Sequence, residues 1–136
     1  MIQQPHVDFV LLLDDDEANN FFHEIMVRES GITDKIIIAT NAEEAIFFLL
    51  HEGREILKDK ALIFLDINMP AINGWEFLEE IRVLGKEILD KLEIIMLSAS
   101  DYPKDIERIK AHDLLKTFIP KMLSVDKIKK IFEEKD

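Results

Sequence analysis

An acidic triplet, Asp14-Asp15-Asp16, follows one apolar run of the chain directly, and a further acid, Asp66, follows another. Two more chemically competent groups stand in the same kind of place: Ser98 follows the run Glu93 to Leu97, and Lys121 comes shortly after Lys116 to Ile119. Three carboxylates converging in one crevice would repel one another and hold on to protons unless a cation sat among them. Asn68 adds further oxygen, and the chain has no Cys, so the donor set favours a hard ion, Mg²⁺ or Mn²⁺, that keeps several waters. A metal, an ammonium and a hydroxyl around a carboxylate are the groups needed to neutralise and orient a phosphoryl unit transferred onto that carboxylate. Asp66 is therefore the candidate nucleophile, with Asp14 and Asp15 better placed to hold the cation.

Each residue also has a plainer reading. Asp16 fits a helix N-cap, Ser98 a turn hydroxyl and Lys121 a surface charge, while Asp66 to Pro70 could simply lead into a helix. What favours the chemical reading is that all of them fall at strand ends of one consistent topology. Five apolar or β-branched runs, Val7 to Leu13, Lys35 to Thr40, Ala61 to Leu65, Glu93 to Leu97 and Lys116 to Ile119, alternate with helix-like stretches. Several are apolar throughout, as parallel strands covered on both faces are.

The first helix is predicted from Glu17, capped by Asp16, through Phe21, Ile25 and Met26 to a stop near Gly31. A second follows Asn41 with Ala45, Phe48 and Leu49 inward. The third follows Asn73-Gly74 and presents Trp75, Leu78 and Ile81. The fourth starts at Pro103, and the fifth spans Ser124 to Glu134 with Ile128, Ile131 and Phe132 inward. Strand and helix repeated five times predict an α/β, flavodoxin-like (βα)5 fold: a doubly wound, five-stranded parallel sheet of order 2-1-3-4-5. Ligands bind such sheets at the carboxyl ends of the strands, where the chemically competent residues gather.

Composition narrows the function classes. A chain of 136 residues, 48% of them hydrophobic, fits one domain over 1–136. With 28 acidic against 17 basic residues the net charge is -11, which disfavours nucleic acid and anionic membrane as partners. The lack of Cys excludes disulfides and thiol nucleophiles and fits a cytoplasmic location. No apolar run approaches the length of a membrane span, and the run Phe9 to Leu13 ends at once in acids, unlike a signal peptide.

These residues, in this order and spacing, resemble the receiver domains of two-component response regulators, in particular small single-domain chemotaxis regulators. The matching segments are Val10-Leu11-Leu12-Leu13-Asp14-Asp15-Asp16, Leu65-Asp66-Ile67-Asn68-Met69-Pro70 with Asn73-Gly74, Met96-Leu97-Ser98-Ala99 and Phe118-Ile119-Pro120-Lys121. The resemblance implies that Asp66 accepts a phosphoryl group from a histidine kinase or phosphotransfer protein. It implies Mg²⁺ held by Asp15, Asp66 and the backbone carbonyl of Asn68, with Asp14 acting through a bound water. Ser98 and Lys121 would bind phosphoryl oxygens, Phe118 would be the switch aromatic, and Asn68 and Ser100 would tune autodephosphorylation. Output would pass through the surface of the fourth helix, fifth strand and fifth helix to a downstream protein target. The resemblance further implies a monomer or weak dimer without an output domain, and no turnover of external substrate.

Two positions depart from the family pattern. Met122 follows Lys121 where the family usually places Pro, and Pro120 precedes it. A cis bond before Met122 would cost roughly 2.5 to 4 kcal/mol and one before Pro120 about 0.5 to 1, so the turn is expected either with a cis Ile119-Pro120 bond or all trans. Thr117 replaces the usual small residue before the switch aromatic. An alternative reading is accordingly a receiver-like binding module whose shape no longer responds to phosphorylation. A metal-dependent phosphatase fits less well, because Asn68 stands where a general acid would be needed and no cap insertion could hold a substrate.

Overall fold

The structure is a computed structural model that describes residues 7–66, 74–98, 103–120 and 123–133, with Ser98, Lys116, Thr117 and Pro120 among those described by backbone alone. Its five strands are β1 (Val10–Leu13), β2 (Ile36–Ala39), β3 (Ala61–Asp66), β4 (Leu92–Ser98) and β5 (Leu115–Pro120). They form one parallel sheet in the order β2-β1-β3-β4-β5, the predicted topology. Between them run α1 (Glu17–Ser30), α2 (Ala42–Leu50), α3 (Glu52–Ile56), α4 (Gly74–Glu80), a 3₁₀ turn at Ile81–Leu84, α5 (Lys86–Leu89), α6 (Pro103–Ala111) and α7 (Val125–Glu133).

Every residue of β1 and β3 is buried, which explains why their sequences do not alternate: both faces are covered. Leu11, Leu13, Ile63, Leu65, Ile94 and Met96 join a core with α2, α4 and α6. Val10, Leu12, Leu62, Phe64, Ile95 and Leu97 join a second core with α1 and α7. The inward residues expected of α2 are buried, as are Leu78, Ile81, Ile128 and Ile131. Trp75 is only half-buried. Asn73, residue 134 and the side chain of Phe132 lie outside what is described.

Three differences from the sequence reading have physical causes. Residues 7–9 are tied down but precede the β1 ladder, because the Asp8 carboxylate turns aside to accept the backbone N–H groups of Lys58, Asp59 and Lys60 at 2.7, 2.7 and 3.2 Å. The short helices α3 and α5 and the 3₁₀ turn escaped prediction because one or two turns are too few to show a hydrophobic period. The third adds a face the sequence reading did not assign: α1 runs through Phe21, Ile25 and Met26 as expected, turns Asn20, His23, Val27 and Ser30 inward and leaves Phe21 65% exposed.

Both ends of α1 are set by local chemistry. Asp16 accepts from the N–H groups of Ala18 and Asn19 at 2.8 and 3.2 Å, the N-cap expected from sequence. Gly31 closes the helix at φ 71, a left-handed conformation that costs Gly little, and its N–H reaches the Arg28 carbonyl.

Two predictions follow from these contacts. Asp16→Ala leaves the first N–H groups of α1 without their cap and should cost about 1 kcal/mol in urea unfolding. The second concerns Asp8. Burial pushes its carboxyl up, but three backbone N–H bonds and the nearby Lys58 ammonium outweigh this and hold it below its ordinary value of 3.8. A pKa lower in the folded than in the unfolded chain gives stability that is fully present above 3.8 and lost as pH falls through the native value. Asp8→Asn should therefore be less stable than the wild type at neutral pH, and the gap should narrow below pH 3.8; urea midpoints at about pH 7 and pH 3 would measure it.

Candidate functional site

The register of the sheet decides which residues meet. Leu13 lies opposite Leu65 in the β1–β3 pair, so Asp14 and Asp66 follow side by side on strands spaced about 4.8 Å apart. Asp66 lies opposite Leu97, and Ser98 comes one residue further on, opposite Pro120 at the end of β5. The backbone thus brings Asp14, Asp66, Ser98 and the approach to Lys121 to one edge of the sheet. Asp66 continues the face of Phe64, which packs with α1 and α7.

Asp14 and Asp66 are each only 2% exposed, whereas Asp15 is half-buried and Asp16 exposed. Buried carboxylates on adjacent strands are costly in an apolar sheet unless polar partners and a cation offset them. Part of the offset is visible at Asp14. Its Oδ1 accepts the Asp16 N–H at 2.9 Å and its Oδ2 the Asn19 amide at 3.3 Å. The buried Asn20 side chain donates to the Asp14 carbonyl at 2.8 Å. The positive end of the α1 dipole lies against the same turn.

Sequence reading brought three carboxylates into one crevice. Among the described residues, no three acidic or imidazole side chains are gathered into a metal cage. The Asp14 carboxylate accepts from the Asn19 amide of α1 and from the N–H of its cap, Asp16. Two buried carboxylates with a half-buried third beside them still fit Mg²⁺, which usually binds through one or two carboxylates and retains water. Asn19 and Asn20 were missed in the sequence; their signal was a pair of amides within the first turn after an acidic triplet.

Asn68, Ser100 and Lys121 lie outside the described residues, as does the side chain of Ser98. Among the described residues, which include Ile119 and Pro120, no peptide bond is cis, so of the two alternatives for the Ile119-Pro120 bond the trans one holds. The Lys121-Met122 part of the turn lies outside. Phe118 is half-buried against the core shared with α6. Its place depends on a one-residue shift in pairing: Ile94 lies opposite Leu115 but Ile95 opposite Thr117, so Lys116 is skipped and Phe118 falls opposite Met96.

On the face of α2, α4 and α6, side chains brace the lower end of α6. The Arg108 guanidinium lies 4.0 Å from the centre of the Trp75 ring. Arg82 donates to both oxygens of Asp113 at 3.0 and 2.8 Å and to Glu79 at 3.0 Å. A cleft of about 380 Å³ beside this brace is lined by Arg82, Lys86, Leu92, Ile94 and Asp113 among others. It opens at the start of β4, about 20 Å along the strand from Ser98, and takes no part in the acidic site.

Comparison with known proteins agrees with the topology. A two-component response regulator from Cytophaga hutchinsonii has a solved structure that superposes with a TM-score of 0.82 at 29% identity, covering 94% of this chain and 96% of that one. The response regulator Rcp1 of Synechocystis sp. is 29% identical over 98 residues, 71% of this chain and 65% of that protein. The sensory/regulatory protein RpfC of Xanthomonas campestris pv. campestris is 26% identical over 97 residues, and this chain spans only 12% of its length. Among the described residues, no helix is long and apolar enough to cross a membrane. The profile of the response regulator receiver domain matches residues 10–133, the whole sheet and all its covering helices, and the chain belongs to that family.

Proposed function

We propose that Asp66 is the phosphoacceptor of a two-component signalling switch. The observation that carries this reading is the pairing of a 2% exposed Asp66 with an equally buried Asp14 at neighbouring strand ends. An oxygen of Asp66 attacks the phosphorus of a phosphohistidine on a kinase or phosphotransfer protein. The P–N bond breaks as the P–O bond forms, and the imidazole leaves as the neutral base after taking up a proton. Water later attacks the acyl phosphate and releases inorganic phosphate. A bound Mg²⁺ would neutralise charge on the phosphoryl oxygens. Asp15, Asp66 and the Asn68 carbonyl are the groups proposed to hold it, with Asp14 acting through water. Lys121 and Ser98 are assigned to the phosphoryl oxygens, Phe118 to reporting the state of Ser98, and Asn68 and Ser100 to the access of water.

An outward apolar stripe on α1, with Phe21 at 65% exposure and Phe22 and Ile25 also exposed, begins next to the acids and supports contact with a protein donor. Output is assigned to the surface of α6, β5 and α7. A second reading, a binding module of fixed shape, draws on Met122 after Lys121 and on the Trp75-Arg108 and Arg82-Asp113 contacts that brace α6.

Incubation with Mg²⁺ and acetyl phosphate should add one phosphoryl group to the wild type, read by intact mass, and none to Asp66→Asn. An adduct that persists in the variant would overturn the assignment. Millimolar Mg²⁺ should also raise the melting midpoint of the wild type, since a ligand of the native state stabilises it, and do so far less for Asp66→Asn. With beryllofluoride, amide resonances along β5 and α7 should shift; if they stay fixed while Asp66 is modified, the fixed-shape module is the better reading.

A further inference from the structure

Asn20 is an unusual residue to find inside this fold. It sits one turn into α1, on the face that packs against the sheet, and is only 2% exposed. Its Nδ2 donates to the Asp14 carbonyl at 2.8 Å, a buried bond, while its Oδ1 has no hydrogen-bond partner among the described residues. An apolar side chain of similar volume would remove that oxygen but leave the Asp14 carbonyl without this donor. The amide thus carries one unsatisfied atom into the core, and its one visible use is to hold the backbone of Asp14. The preceding residue, Asn19, reaches the Asp14 carboxylate itself at 3.3 Å, so two consecutive amides grip one acid from its backbone and its side chain.

We propose that Asn20, assisted by Asn19, is a positioning residue for cation capture: it fixes the turn after β1 so that the Asp14 and Asp15 carboxylates face the cation beside Asp66. The inference rests on the phosphoacceptor reading above. Neither amide touches the cation. Each acts by restricting the groups that do, as outer partners of metal ligands commonly do. The Asp14 carbonyl lies at the last point where β1 is held, its N–H bonded to the Ala39 carbonyl at 3.2 Å. Beyond it the direction of the turn depends on contacts from α1. Releasing Asn20 lets that peptide rotate and spreads the carboxylates over more orientations before the cation binds.

Calorimetric titration of the full chain with Mg²⁺ tests this directly, using wild type, Asn20→Leu, Asn20→Ala and Asn19→Ala. Both Asn20 variants should bind Mg²⁺ about ten- to a hundredfold more weakly. The metal-free melting midpoint of Asn20→Leu should stay close to that of the wild type, because removing the unsatisfied oxygen and adding apolar contact offset the lost bond to the Asp14 carbonyl. In acetyl phosphate assays the half-saturating Mg²⁺ concentration should rise by a larger factor than the saturating rate falls. Mg²⁺ affinity within twofold of the wild type in the Asn20 variants, or a loss of affinity that merely parallels a loss of stability, would overturn the proposal. Should both Asn20 variants fail to fold, Asn19→Ala at its half-buried position decides: unchanged affinity overturns the proposal and a several-fold loss supports it. If the wild type neither binds Mg²⁺ nor takes up a phosphoryl group, the phosphoacceptor reading fails and takes this inference with it. If it does both and the variants match it, only the role of Asn20 falls.

Discussion

The arrangement of this molecule follows from placing two carboxylates where an apolar sheet ends. Asp14 and Asp66 extend strands whose other residues are wholly buried, and each is itself only 2% exposed. Taking a carboxylate out of water is costly without polar partners. The surroundings offset this with N–H groups and amides from α1 and with the positive end of a helix dipole. A site held in this way concentrates buried acidic groups at one edge of the sheet. It is ready to gain from a cation or from a change of charge on one carboxylate, which is the condition a charge-operated switch needs.

Most of the fold was legible because the strongest sequence signals and the strongest physical demands coincide. Apolar runs such as Ala61 to Leu65 have no stable place except a doubly covered strand, and Asp16, Gly31, Asn41 and Pro103 mark helix ends through their own backbone preferences. The rotation of α1 was less legible. Judged by hydrophobicity, Phe21 and Ile25 belong inside, yet the helix presents Asn20 and His23 to the sheet. Cap and turn contacts at its start set the rotation, and hydrogen-bond geometry of that kind leaves no trace in a hydrophobic period.

The candidate site was legible as a set of strand ends and less so as a constellation. Placing Asp66 needed only the end of a central strand, and the pairing of Leu13 with Leu65 then supplies Asp14 as its neighbour. The sequence reading divided the acidic triplet, with Asp16 as helix cap and Asp14 and Asp15 beside Asp66. In the structure its members have separate tasks: Asp14 is buried, Asp15 half-buried, and Asp16 caps the helix. Asn19 and Asn20 went unread because amides carry no charge and their role exists only in relation to Asp14.

The shifted pairing at the start of β5 reaches further than its size implies. Because strand side chains alternate between faces, skipping Lys116 decides that Phe118 shares a face with Met96 while Ile119 shares one with Leu97. Were the same chain to pair without interruption, Lys116 would fall opposite Ile95 and every later residue of the strand would exchange faces. Phe118 would leave the α6 layer, and Ile119 rather than Pro120 would fall opposite Ser98. In this chain, then, the extra residue at the start of the last strand decides which side chains meet each core, as much as their identities do.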